Sequence, residues 1–140
     1  MEAIDGPGTY ILIIKLDQDR LIRVGKLGPL AFRAGYYLYV GSALNGLRGR
    51  LARHLRPEKS LHWHIDYLLQ HTQVVEVWYH LGPERYECAW ARSLAKMPAI
   101  QPFEGPFGAS DCSCRTHLFQ SPERLALKEF RVFCLSQLHF

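Results

Sequence analysis

The chain has no apolar run near the roughly 20 residues that a helix needs to span a bilayer. Its N-terminus, MEAIDGPG, has neither a positively charged start nor a long apolar stretch, so a secretory leader is not expected. Cysteine is sparse: Cys88, Cys112, Cys114 and Cys134. Without a secretory signal these four do not read as a disulfide framework, so reduced thiols and a cytoplasmic location are expected. There is no internal repeat, no low-complexity tract and no Cys-x-x-Cys knuckle. Charge is not extreme either, at +4. That value alone says no more than solubility, although it is compatible with an anionic partner.

The 140 residues, 48% of them hydrophobic, suit one globular domain over 1–140 with a core that can close. The basic residues are not evenly spread: Arg48, Arg50, Arg53 and Arg56 fall within nine positions, with His54 among them. Arginine's planar fork matches phosphate oxygens, so this cluster points to phosphate contact.

GTYILIIKL, 8–16, reads as a buried strand. A polar turn at 17–20 and an apolar run at 21–24 suggest a hairpin with it. Gly25, Gly28 and Pro29 predict a break in regular structure. Residues 35–40 form the next strand, with Tyr37 and Tyr39 on one face and Tyr36, Leu38 and Val40 on the other. Gly41 and Ser42 read as a tight turn. Asn45 is a fair helix cap before Leu47, Leu51 and Leu55, which recur every fourth residue. Arg50 and His54 fall beside that leucine stripe, while Arg48 and Arg53 lie further round toward solvent.

Ser60 is expected to cap a helix over LHWHIDYLLQH, 61–71, in which His62 and Asp66 can hydrogen-bond at i, i+4. A strand over 74–81, a helix over 84–94 containing Glu87, and an irregular loop over 97–108 follow. Residues 107–119 fit neither helix nor strand. Ser121, Pro122 and Glu123 predict the start of a C-terminal helix running over 124–138.

Hydrolysis of a phosphodiester needs a deprotonated water, neutralised phosphate charge and a stabilised leaving oxygen. An acid can hold a divalent metal, a cation can hold the phosphate, and tyrosine or histidine can move the proton. Tyr10, Tyr39, Arg50, His54 and Glu87 supply each type. Taken singly they have bland readings: strand tyrosines are usually core residues with satisfied hydroxyls, and Glu87 could be an ordinary helix surface residue.

Gly8-Thr9-Tyr10, then Tyr39-Val40-Gly41-Ser42-Ala43, then Arg50, His54 and Glu87, together resemble the GIY-YIG nuclease superfamily. The whole chain is similar to a stand-alone branch of it, through YVGSA, RHL, HWHIDYLL, the Glu-Cys pair and FGASDCSCRTHL. Some relatives in that branch are fused to a DNA-repair glycosylase. The resemblance implies an α+β fold: a small antiparallel three-stranded sheet flanked by helices, with an extra strand and the C-terminal helix. It implies a metal-dependent endonuclease or nickase acting on DNA, structure-selective or directed by a partner such as a DNA-repair protein, with RNA left open.

In the roles it carries over, Tyr10 is the general base or the hydrogen-bond partner of one. Tyr39 positions the water or the phosphate, and Arg50 binds the scissile phosphate. His54, four residues on, selects Arg50 rather than Arg48 for that role. Glu87 holds one Mg²⁺ or Mn²⁺. Thr9 stands where the motif has isoleucine, a change of no chemical weight because only the tyrosine reacts. Arg48, Arg53, Arg56, His62 and His64 are the expected further nucleic-acid contacts.

Two alternatives stand beside this one. A module with the same fold could bind nucleic acid without cutting it, or a small interaction domain could hold zinc at Cys112, Cys114 and His117. Zinc is disfavoured, because a closed site wants four ligands and only Cys88 or Asp111 could complete it.

Overall fold

The computed structural model describes residues 6–57, 59–103, 107 and 116–138. Its centre is β1, Gly8–Leu16, in which every side chain but Lys15 is buried. A continuous apolar run of this kind suits a strand covered on both faces. Hydrogen-bonded neighbours occupy both of its edges. On one side lies β4, Gly35–Ala43, and on the other β5, Gln73–Leu81, both antiparallel to it. Two short strands, β6 (Gln101–Pro102) and β7 (Leu118–Ser121), extend the sheet beyond β4. The order is β5-β1-β4-β7-β6.

The α+β class is as expected, but among the described residues the sheet has five strands rather than three with one extra. The segments read as a loop over 97–108 and as irregular over 107–119 each yield a strand, too short to show a period.

The expected hairpin between 8–16 and 21–24 does not form. Both edges of β1 are taken, so β2 (Arg20–Arg23) pairs instead with β3 (Pro29–Phe32) in a separate two-stranded ribbon. The glycines taken as a break make the turn between them. Gly25 and Gly28 have φ of +49° and +76°, where a side chain would be strained. Pro29 opens β3, a position in which its missing N–H is tolerated.

Gly41 and Ser42 are likewise not a turn. β4 runs straight through them, with Tyr10 opposite Gly41 and Thr9 opposite Ser42.

Helix α1, Leu47–Leu55, is capped by Gly46, not Asn45. Leu47 and Leu51 are buried as the stripe requires, but Leu55 is half exposed and His54 is buried in its stead. Helix α2 is shorter than expected, His64–Leu69, with Trp63 rather than Ser60 at its N-cap. Helix α3 spans Glu87–Lys96 and begins on Glu87 itself. Helix α4 spans Leu127–Leu138, starting later than the serine-proline signal implied. Ser121 ends β7 instead, and its hydroxyl donates to the Glu123 carbonyl at 2.6 Å. No helix among the described residues is long and apolar enough to cross a membrane.

The sheet separates two cores. Tyr10, Leu12, Ile14, Tyr37, Tyr39 and Ala43 face α1, α2 and the β2–β3 ribbon. Ile11, Ile13, Leu38 and Val40 face α3 and α4, with Trp78 and Phe130. Truncating a core residue such as Leu12 or Ile13 to alanine costs about 2–5 kcal/mol. The alternation expected of the tyrosine-rich strand is therefore present, and it sends Tyr10 and Tyr39 to the same side.

Candidate functional site

At the Gly8–Ala43 end of the sheet, α1 approaches from one face and α3 from the other. The Tyr10 hydroxyl lies 2.7 Å from His54 Nε2. The two rings are 5.4 Å apart, and the Tyr39 ring meets the same imidazole edge-on at 6.2 Å. This brings together the two strand tyrosines and the helix histidine. Their contact requires Gly41. A Cβ there would fall onto the Tyr10 hydroxyl and ring, so the glycine is present to admit an aromatic side chain from the next strand. Its φ is not in the left-handed region.

Burial sets the protonation of this group. It raises the Tyr10 hydroxyl above its ordinary value, opposed in part by the Arg50 cation. It raises Tyr39 as well, with Tyr10 and the Glu87 carboxylate adding to the effect. It lowers His54 to about 4, against the attraction of Asp66 and with Arg50 pushing further down. At neutral pH the resting group is two phenols and a neutral imidazole. His54 Nδ1 is buried with no hydrogen-bond partner among the described residues.

Arg50 and Glu87 meet at one residue, Ser42. Arg50 Nη1 donates to the Ser42 carbonyl at 3.0 Å, and the Ser42 hydroxyl donates to Glu87 Oε1 at 3.2 Å. The other carboxylate oxygen of Glu87 is 3.0 Å from His117 Nδ1. Thr9 also contributes, since its hydroxyl accepts the Tyr86 N–H at 3.4 Å and ties β1 to the residue before Glu87. The threonine in the first motif thus has structural weight that its chemistry alone does not suggest.

Glu87 is partly open to solvent, with 28% of its side chain exposed. One accessible carboxylate fits a magnesium-type ion, which keeps several waters and binds through one or two carboxylates together with substrate phosphate. No group of three or more histidine, cysteine, aspartate or glutamate side chains among the described residues is arranged around a metal.

The basic residues divide. Arg53 is committed: it grips both oxygens of the buried Asp66 at 2.9 Å and also donates to the Ser60 carbonyl at 2.8 Å. It serves the fold where an exposed phosphate contact was expected. Arg48 and Arg56 are exposed. His62 is exposed and His64 packs edge-on to Phe107 at 5.8 Å. The expected His62–Asp66 interaction exists, but the donor is the His62 backbone N–H, at 2.8 Å.

Asp111, Cys112 and Cys114 lie outside the described residues. His117, read as a possible zinc ligand, stands beside Glu87 instead. Sequence reasoning read His117 only as a possible zinc ligand and assigned no role beside the motif residues to Ser42 or Trp63. Each lies within a quoted motif, but none has a spacing that signals its role.

Residues 9–139 match the family model described as "Domain of unknown function DUF123", and the chain belongs to that family. Comparison with curated proteins and with solved structures returns no match.

Proposed function

We propose that the protein is a metal-dependent endonuclease or nickase of the GIY-YIG type, hydrolysing phosphodiester bonds in DNA. The observation that carries this reading is the convergence of the buried Tyr10–His54 pair with an arginine and a glutamate that share Ser42. Each requirement of phosphodiester hydrolysis then has a residue near one sheet end.

Arg50 binds the scissile phosphate through donors in the plane of its guanidinium. Tyr39 orients the phosphate or the attacking water. Tyr10 starts as a phenol, since burial opposes its ionisation. It can take a proton from water only by giving up its own, and His54 Nε2 is the acceptor in reach. The water O–H proton passes to the Tyr10 oxygen as the Tyr10 proton passes to His54. Hydroxide adds to phosphorus, and one P–O ester bond breaks with its electron pair on the leaving oxygen. An anionic phosphate at Arg50 offsets the cation that disfavours the imidazolium, so the substrate itself makes His54 a better base. Glu87 would hold the Mg²⁺ or Mn²⁺, which when bound polarises a phosphoryl oxygen and stabilises the leaving oxygen. Arg48 and Arg56 offer backbone phosphate contacts on the exposed side of α1 and the loop after it.

A second reading has its own support. Tyr10 is only 1% exposed and His54 only 3%, which suits a module that binds nucleic acid without cutting it. An Mg²⁺ or Mn²⁺ cleavage assay on branched, nicked and plain DNA separates the two. The nuclease reading expects product from at least one substrate, lost in Arg50→Ala and Glu87→Ala. Salt-sensitive binding with no product, or full activity in both variants, removes it.

A further inference from the structure

Trp63 contacts more of the site than any motif assignment suggests. The Arg50 guanidinium carbon stands 4.5 Å from the centroid of its ring, and that of Arg53 stands 4.3 Å from it. The His54 imidazole lies 6.0 Å away. Two arginines one helical turn apart thus share one indole, but their charges are used differently. Arg53 spends its own on Asp66. Among the described residues, Arg50 forms no ion pair; its donors meet the Ser42 carbonyl and the Tyr10 hydroxyl.

A guanidinium lying over an aromatic face is attracted by the ring and keeps its N–H donors in its own plane. The indole therefore restrains Arg50 without consuming a donor. Trp63 is itself held. Its backbone N–H donates to Asp66 Oδ2 at 2.8 Å and its carbonyl accepts the Asp66 backbone N–H at 3.0 Å. Asp66 is wholly buried and anchored to α1 through Arg53. The extended backbone of Trp63, at φ −98° and ψ 157°, sets it ahead of α2 rather than within it.

We infer that Trp63, locked by Asp66 and Arg53, is a positioning residue for Arg50: it fixes the plane of a guanidinium whose remaining donors are kept for a phosphate. This rests on the nuclease reading only in naming a DNA phosphate as the anion.

Two measurements test it. The first is NMR of the arginine Nε–H and guanidinium groups. Arg50 should show ring-current-shifted, rotationally hindered signals, unlike Arg48 and Arg56. Trp63→Leu should return Arg50 to the behaviour of Arg48 while Arg53, held by Asp66, stays hindered. If Trp63→Leu does not fold, Trp63→Tyr and Trp63→Phe should each weaken the Arg50 shift while retaining hindrance. An Arg50 averaged like Arg48 in the wild type, or unchanged in every Trp63 variant, overturns the inference.

The second is a double-mutant cycle of Trp63→Leu, or Trp63→Phe in its place, and Arg50→Ala. Its readout is the affinity for a DNA duplex in EDTA. With Trp63→Leu, each single change should weaken binding roughly tenfold, with the double no weaker than Arg50→Ala alone. Multiplicative losses overturn the inference. Absence of DNA binding and of cleavage in the wild type would defeat the nuclease reading instead, and the NMR result would still decide the role of Trp63.

Discussion

The Tyr10 hydroxyl and His54 Nε2 stand 2.7 Å apart, from residues 44 positions apart in the chain. One comes from the central strand and the other from the buried face of α1. Tyr10→Phe removes the hydroxyl but keeps the ring. Cleavage should fall by at least about 100-fold, the usual scale for a lost proton-transfer group. Stability should fall by about 1–3 kcal/mol, because the His54 imidazole loses the hydrogen bond it makes among the described residues. Rate assays and urea unfolding of the same samples measure both.

Gly41→Ala tests the packing that makes this pair possible. The new methyl group occupies the place of the Tyr10 hydroxyl and ring. We expect a loss of about 1–3 kcal/mol from overpacking, with a displaced Tyr10 and strongly reduced cleavage. Near-wild-type stability and rate would show that Tyr10 can move without consequence.

The acid limb of the stability curve should have two separable parts. His54 has an ordinary value of 6.5 and a folded value of about 4, so the unfolded chain takes up the proton first. Its contribution is complete above pH 6.5 and is lost as pH falls toward about 4. The total is on the order of 3 kcal/mol at about 1.4 kcal/mol per unit. His54→Asn should flatten that interval. For Asp66, burial alone would raise the carboxyl, but the bonds from Arg53, Trp63 and His62 outweigh it and hold it below 3.8. Its contribution is present above 3.8 and disappears as pH falls through the lower folded value. Asp66→Asn should remove that second step and, by withdrawing its attraction, move the His54 step to lower pH. Unfolding by denaturant at a series of pH values distinguishes the two variants.

Glu87→Gln should abolish metal-dependent cleavage while leaving the fold intact, since the side chain is partly exposed and the amide oxygen can still accept from Ser42. Millimolar Mn²⁺ should raise the Tm of the wild type through ligand linkage but not that of the variant. EDTA should stop cleavage by the wild type. An equal Mn²⁺ shift in both proteins would place the metal elsewhere.

Arg48→Ala and Arg56→Ala should each weaken DNA binding alike across sequences and lower the slope of log K against log salt by about 0.9. Arg53→Ala should instead unfold the protein more readily, because it leaves the buried Asp66 carboxylate unpaired, at a cost of about 3–5 kcal/mol. Binding titrations at several salt concentrations and thermal melts separate the two behaviours.

Periodic features were legible in the chain alone. The apolar run of β1, the alternation of Tyr36 to Val40 and the spacing of Leu47 and Leu51 each report a surface that one element must bury. The elements, their rough limits and the α+β class follow from such patterns. The placing of Tyr10 and Tyr39 on one face was implied by the resemblance, and it is the register of β1 on β4, Tyr10 opposite Gly41, that produces it.

What the chain could not show is who pairs with whom. The β2 strand had a plausible partner in β1, and only the sheet order, with β4 and β5 on both edges of β1, rules it out. Gly41 looks like a turn residue because glycine usually marks one. Its actual reason is the ring of Tyr10 on the neighbouring strand. Arg53 looked like a solvent-side residue of its helix, and Asp66 like a partner of His62. Together they form a buried clamp across a chain reversal, and that clamp sets Trp63 against Arg50. Local pattern is encoded by neighbours a few residues away. The site depends on contacts between residues dozens of positions apart, so tertiary packing decided which arginine is committed to a buried carboxylate and which stands beside the strand tyrosines without an ion pair among the described residues.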